Sequence, residues 1–306
     1  IAEFPFLLAP MEDVSDPPFR ALCQKYGADV MYTEFISSEG LIRDAAKSRA
    51  KLDIFEYERP IGIQIFGSEI DSMRQAAAIT EEAQPDIIDI NYGCPVKKVA
   101  CRGAGAGILQ DIPKMVAMTK EIVDTCTLPV TVKTRLGWCG SDADPVTWCR
   151  QLQDAGAQLL TLHGRTREQG FKGKADWQAI GEVRQALTIP VIANGDINTP
   201  EEALRCLALT GAEGVMVGRG TMGAPWLVGQ IDAALAGRPV PDQLDGVNRF
   251  FNVQLAWRGW QLQRQMKSTL DGQREEYKTE IDRLQREQEE TKKTHQETKL
   301  ISHTMP

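Results

Sequence analysis

PVIANGDINTPEEALRCLALTGAEGVMVGRG, residues 190–220, decides the fold. It opens on one apolar, β-branched run, PVIANG (190–195), and closes on another, GVMVGR (214–219). Both are near-continuously apolar, as expected of strands buried on both faces of a parallel sheet. The stretch between them ends in Gly211-Ala212, and glycine just past a helix end marks the turn back toward the sheet. The segment reads as one strand–helix–strand unit that delivers Asn194-Gly195-Asp196 and Gly218-Arg219 where its two strands end.

The same unit repeats along the chain. FLLAP (6–10), DVMYTEF (29–35), IGIQIF (61–66), DIIDIN (86–91), PVTVKT (129–134) and LLTLHG (159–164) supply six more strands, and Gly27-Ala28 and Gly156-Ala157 repeat the turn signal. Amphipathic stretches separate them, as where Ile112, Met115, Val116, Ile122 and Val123 share one helical face. Eight such units in about 240 residues predict a TIM (β/α)8 barrel over residues 1–240. A doubly wound open sheet would carry a glycine-rich phosphate loop after its first strand. That segment here is APMEDVSDPPF (9–19), without a glycine.

Residues 241–306 are a different kind of sequence. After aromatics between Asn248 and Trp260, Gln, Glu, Lys and Arg dominate as far as Lys299. Leu270, Tyr277 and Leu284 recur every seven residues with Ile281 as the one partner position, a weak coiled-coil seam. A helical, charged, solvated tail is expected. Residues 247–306 hold 11 Lys and Arg against 9 Asp and Glu, whereas residues 1–246 hold 24 against 33. An acidic barrel argues against unspecific nucleic-acid binding, which depends on phosphate neutralisation.

The seven cysteines form no CxxC pair, which points to reduced thiols rather than a disulfide framework or a zinc site. No run approaches the length of a membrane span and no secretory layout opens the chain. A cytoplasmic protein without a metal centre is the expectation.

In a TIM barrel the carboxyl ends of the strands line the active site. Here they bring Pro10-Met11-Glu12, Glu34, Gln64, Asn91, Lys133 with Arg135, His163 with Arg165, Asn194-Gly195-Asp196 and Gly218-Arg219. Such polar residues are costly to bury without partners, so their convergence implies a ligand with many hydrogen-bonding groups. The last two strand ends form the usual phosphate position of these barrels. GRGTMG (218–223) also matches GxGxxG formally, but no acid-ended strand follows it, so it reads as a mononucleotide phosphate cradle. Lys133 inside VTVKT could be a Schiff-base nucleophile or a cation facing a flavin. Cys94 in NYGCPVKKV (91–99) stands on a forced turn, and Lys97 and Lys98 behind it predict a lowered thiol pKa. It is a candidate proton donor or nucleophile.

Together LAPMEDVSDPPFR (8–20), TEF (33–35), QIFG (64–67), DINYGCPVKKV (89–99), VKTRLGW (132–138), HGRTREQGF (163–171), WQAIGEVRQ (177–185), IPVIANGDI (189–197) and MVGRG (216–220) resemble the tRNA-dihydrouridine synthases, bacterial type. The resemblance lies within residues 5–226, and residues 241–306 do not resemble the basic helical domain with which that family docks tRNA. It implies reduction of the C5–C6 double bond of a tRNA uridine by FMN recharged from NADPH. Hydride would pass from flavin N5 to uracil C6, and Cys94 would protonate C5 from the opposite face. By the same resemblance Pro10, Met11, Glu12, Gln64, Lys133 and His163 would hold the isoalloxazine. Asn194, Gly195, Asp196, Gly218 and Arg219 would hold the phosphate, and Asn91, Arg135 and Arg165 would grip a flipped-out uracil. Three alternatives stay open: an FMN barrel acting on a free pyrimidine, a degraded barrel with an interaction tail, and a Schiff-base aldolase using Lys133.

Overall fold

The computed structural model describes residues 5–140 and 144–241. The chain divides at Pro241 into two units, and the first is a ring of parallel strands wrapped by helices. The strands are β1 (Phe6–Leu8), β2 (Met31–Tyr32), β3 (Ile36–Ser37), β4 (Ile61–Phe66), β5 (Ile87–Asn91), β6 (Val130–Arg135), β7 (Leu160–His163), β8 (Val191–Asn194) and β9 (Gly214–Val217). β1 lies beside β9, followed by β8, β7, β6, β5 and β4, and both β2 and β3 pair with β4. The ring closes where Leu7 bridges Val30. There the Leu8 N–H donates to Val30 O, and the Asp29 N–H to Phe6 O, at 3.0 Å each. This is the TIM barrel the sequence predicts, with β2 and β3 sharing its second stave.

That stave departs from the single strand expected over 29–35. The Thr33 N–H donates to Gly62 O at 2.9 Å. The Thr33 hydroxyl, rather than a backbone carbonyl, then accepts the Gln64 N–H at 3.3 Å. A side chain has entered the ladder, and pairing resumes only with Ile36 opposite Ile65.

Helix starts follow from local chemistry. Asp16, Asp111, Asp144 and Thr199 cap the helices Pro17–Lys25, Ile112–Thr125, Pro145–Asp154 and Pro200–Thr210, each accepting a backbone N–H from within the first turn. Each has proline in its first two positions, where no N–H is needed. Gly27, Gly156 and Gly211 turn the chain back at φ of 105°, 101° and 63°, as the Gly-Ala signals predict.

The period of two along each strand sorts side chains between the barrel axis and the helical layer. Gln64 lies opposite Asp89, Asp89 opposite Thr131, Asn91 opposite Lys133, Arg135 opposite His163, and His163 opposite Asn194. Inside the ring, Leu7, Ala9, Val30, Tyr32, Ile192 and Met216 form a buried apolar cluster. Among the described residues no helix is long and apolar enough to cross a membrane. The expected helical tail lies outside the described residues.

Candidate functional site

A cavity of about 340 Å³ opens at the carboxyl ends of the strands. Of the residues singled out in the sequence, Pro10, Met11, Glu12, Asn91, Cys94, Lys133, Arg135, His163, Asn194, Gly195, Asp196, Gly218 and Arg219 line it. Gln64 and Arg165 lie behind the wall. Phe35, Val96, Phe171, Ile197, Asn198 and Met222 also line it, and all but Phe35, which ends the predicted strand 29–35, come from loops beyond the strand ends. The loop residue Phe171 did have a sequence signal, since it ends the HGRTREQGF motif.

Cys94 is held by its neighbours rather than by its own turn alone. Asn91 Oδ1 accepts the N–H groups of Gly93 and Cys94 at 3.0 and 2.9 Å. The Cys94 carbonyl accepts the Ala106 N–H at 3.0 Å. Cys94 is 8% exposed, and burial pushes its thiol pKa up despite the Val96 N–H and the charges of Arg135 and Lys133. The lowered pKa expected from Lys97 and Lys98 is therefore not what the structure gives. Both lysines are exposed on the short helix Lys97–Ala100, where solvent screens them, while the sulfur sits in the wall. The result is a protonated thiol facing the cavity.

The mouth from β6 round to β9 is cationic. The Lys133 ammonium donates to Asn194 Oδ1 at 3.2 Å, and the Asn194 amide donates to Met216 O at 2.7 Å. Burial, then Arg135, lowers the Lys133 pKa to about 8. His163 is kept neutral first by burial and then by Arg135, Lys133, Arg165 and Arg219 around it. Its Nδ1 is buried without a hydrogen-bond partner. The Arg219 guanidinium lies 4.7 Å from the Phe171 ring centroid, and, against burial, its charge helps hold the Asp196 carboxyl below its ordinary value.

Two arginines fasten loops. Arg135 donates from Nε to Gly93 O at 2.7 Å and from Nη1 to Thr166 O and Gly170 O at 3.1 and 2.9 Å. Arg165 pairs with Asp196 through Nη2 at 2.8 and 2.7 Å and also donates to Lys172 O and Gly173 O. Asp196 further accepts the Ala175 N–H at 2.7 Å. Its carboxylate shapes the turn after β8 instead of facing an anion. Glu12 likewise has its own cation, with Lys51 Nζ at 2.6 Å. Glu12, Asp13 and Glu34 cluster closely enough to suggest a metal, and Lys51, 3.9 Å from Glu34 as well, offsets part of their charge.

These residues fit a flavin mononucleotide. The turns after β8 and β9 approach at glycines: a Cβ on Gly218 would come within 3.2 Å of Ala9 Cβ and 3.3 Å of Met11 Sδ, and one on Gly195 within 3.3 Å of His163. Gly195 also has φ of 115°. Backbone cradles of this kind, beside Arg219, suit a phosphate. The partnerless His163 Nδ1 and the Lys133 ammonium suit the polar edge of an electron-rich ring.

The family model described as Dihydrouridine synthase (Dus) matches residues 7–302, beyond residue 226 where the recognisable motifs end. A probable tRNA-dihydrouridine synthase 1 from Synechocystis sp. is 47% identical over 229 residues, which are 74% of this chain and 64% of the relative. The chain thus spans a little under two thirds of that protein. A probable tRNA-dihydrouridine synthase from Rhizobium leguminosarum is 40% identical over 78% of this chain and 74% of its own length. A tRNA-dihydrouridine synthase B from Pseudomonas aeruginosa is 34% identical over 91% and 88%. Among solved structures, histamine dehydrogenase from Rhizobium sp. 4-9 matches 78% of this chain and 47% of its own, with a TM-score of 0.59 at 14% identity. That likeness speaks to the fold alone.

Proposed function

The chain belongs to the dihydrouridine synthase family, and from that membership we propose that it reduces the C5–C6 double bond of a tRNA uridine to 5,6-dihydrouridine, with bound FMN and with NADPH as reductant. The observation that carries the reading is a buried, protonated thiol across one cavity from a cationic, glycine-walled cradle. Bound FMN would supply hydride to uracil C6. Everything else falls to the chain.

Cys94 holds a proton at Sγ and gives it to C5. A raised thiol pKa keeps that proton in place at neutral pH, which an acid needs and a nucleophile does not. Lys133 and the neutral His163 orient the ring. Gly195, Gly218 and Arg219 hold the phosphate, and Asp196, tied to Arg165, fixes the turn that presents Gly195. Asn91 and Arg135 act on the uracil side chiefly by fixing the Gly93-Cys94 backbone. A tRNA uridine must leave its stack to reach this depth, and the exposed Phe171 offers the emerging base an aromatic face.

The acidic balance of residues 1–246 favours a second substrate class, a free pyrimidine, which needs no basic docking surface. Mass-spectrometric mapping of dihydrouridine in unmodified tRNA, incubated with the protein, FMN and NADPH, separates the two. New dihydrouridine supports the proposal. Oxidation of free dihydroorotate with no change in the tRNA would reassign the substrate. Failure of the protein to retain added FMN would remove the cofactor, and Lys133→Ala should show reduced retention.

A further inference from the structure

Under the cavity floor a chain of side chains runs across three strands. The Thr131 hydroxyl donates to Asp89 Oδ1 at 2.5 Å, and Gln64 Nε2 donates to Asp89 Oδ2 at 2.6 Å. Asn91 Nδ2 donates to Gln64 Oε1 at 2.7 Å, and Asn91 Oδ1 accepts the N–H groups of Gly93 and Cys94. Asp89, Gln64, Asn91 and Thr131 are all buried.

The two ends of this chain have fixed chemistry. A backbone N–H can only donate, and a carboxylate can only accept. The two primary amides between them must therefore each accept on the Cys94 side and donate on the Asp89 side. Reversing either one would set oxygen against oxygen or N–H against N–H in a dry interior, where an unmade bond is costly. Asp89 does not line the cavity. It nevertheless dictates which end of Gln64, and then of Asn91, points toward the Cys94 loop.

We propose that Asp89 is a positioning residue for Cys94, setting through Gln64 and Asn91 the hydrogen-bond polarity that holds the Gly93-Cys94 backbone and keeps the thiol in the cavity wall. This rests on the reading of Cys94 as the acid, but the geometry it describes is independent of flavin and of tRNA. The inward phase of DIIDIN, with Asp89 two residues before Asn91, puts the carboxylate on the one face from which it can reach Gln64 of the neighbouring strand.

The test is the rate of iodoacetamide alkylation at Cys94, followed by peptide mass spectrometry with the exposed Cys101 as internal reference. Asp89→Asn can keep the polarity: its amide oxygen still accepts from Gln64, and its amide nitrogen donates to the Thr131 hydroxyl. Its Cys94 rate should match the parent's. Asp89→Leu removes the terminal acceptor, and Cys94 should react on the order of tenfold faster, with the Cys101 rate unchanged. A folded Asp89→Leu protein with the parent's Cys94 rate overturns the proposal, as does an Asp89→Asn protein as reactive as Asp89→Leu. If Asp89→Leu does not fold, Gln64→Leu decides. It breaks the relay while leaving Asp89 with Thr131, and it should raise the Cys94 rate in the same way. A parent-like rate in that variant overturns the proposal. Loss of the acid reading would appear elsewhere, as undiminished uridine reduction by Cys94→Ala, and would leave these alkylation rates untouched.

Discussion

Two sectors of one barrel interior do opposite work. Between β8, β9, β1 and β2 the lining is apolar, with Leu7, Ala9, Val30, Ile192 and Met216 packed without polar partners to satisfy. Between β4, β5 and β6 it is polar, with Gln64, Asp89, Asn91, Thr131 and Arg135 bonded to one another or to backbone and Lys133 bonded to Asn194. The first sector gains free energy from burial. The second takes on desolvation costs and returns them as fixed orientation. Stability and chemistry are thus separable by position within a single ring.

The separation breaks most visibly at Cys94. Cys94→Ala should lower uridine reduction by about 10²–10⁴-fold, the range for loss of a general acid, while flavin content and melting temperature stay near the parent's. A variant that reduces tRNA at the parent's rate would end the acid assignment. The converse substitution is Leu7→Ala, in the apolar sector and 2% exposed. It should cost about 2–5 kcal/mol of unfolding free energy by denaturant titration, and the Cys94 alkylation rate below the transition should not change. If Leu7→Ala frees Cys94 as well, the two sectors are not independent.

The smallest effect tests the cost of the polar sector. Burial pushes the Asp89 carboxyl from 3.8 up to about 6, against the bonds from Gln64 and Thr131 and the charge of Lys133. A folded value above the unfolded one means that the ionised form is the costly one. This group's favourable contribution is complete below pH 3.8 and is lost as pH rises through 6. Asp89→Asn should therefore gain on the parent by about 1–3 kcal/mol between pH 4 and pH 7. A stability difference that does not vary with pH would mean that Asp89 is not titrating in that range.

What the sequence made legible was periodic. The run VTVKTR puts Thr131, Lys133 and Arg135 in one phase, and the structure turns that phase inward, Lys133 and Arg135 onto the cavity. The glycine turns were readable from equally local chemistry. What escaped was partner choice across strands. Arg165 and Arg135 are ligand-facing by strand position, yet they are spent on Asp196 and on the carbonyls of Gly93, Thr166 and Gly170. Lys97 and Lys98 adjoin Cys94 in sequence but face solvent, whereas burial, which no neighbouring letter encodes, sets its pKa. Asp89 was within reach of sequence reasoning. An acid in phase with Asn91 inside DIIDIN invites the same question that was asked of Lys133.

The pairing of β1 with β9 has a consequence in time. Leu8 lies opposite Val217, and the Ala9 N–H reaches Val217 O at 2.9 Å, joining segments from the two ends of the described barrel. The Pro10-Met11 and Gly218-Arg219 turns continue directly from those strands. They become neighbours only when the ring shuts, the contact with the greatest loop-closure entropy in the barrel and a late one to form. The cradle therefore does not pre-exist in any partly folded chain. An anion seated across that junction would bind the closed ring alone, and so would act as a clasp, slowing the opening of the barrel in proportion to its occupancy.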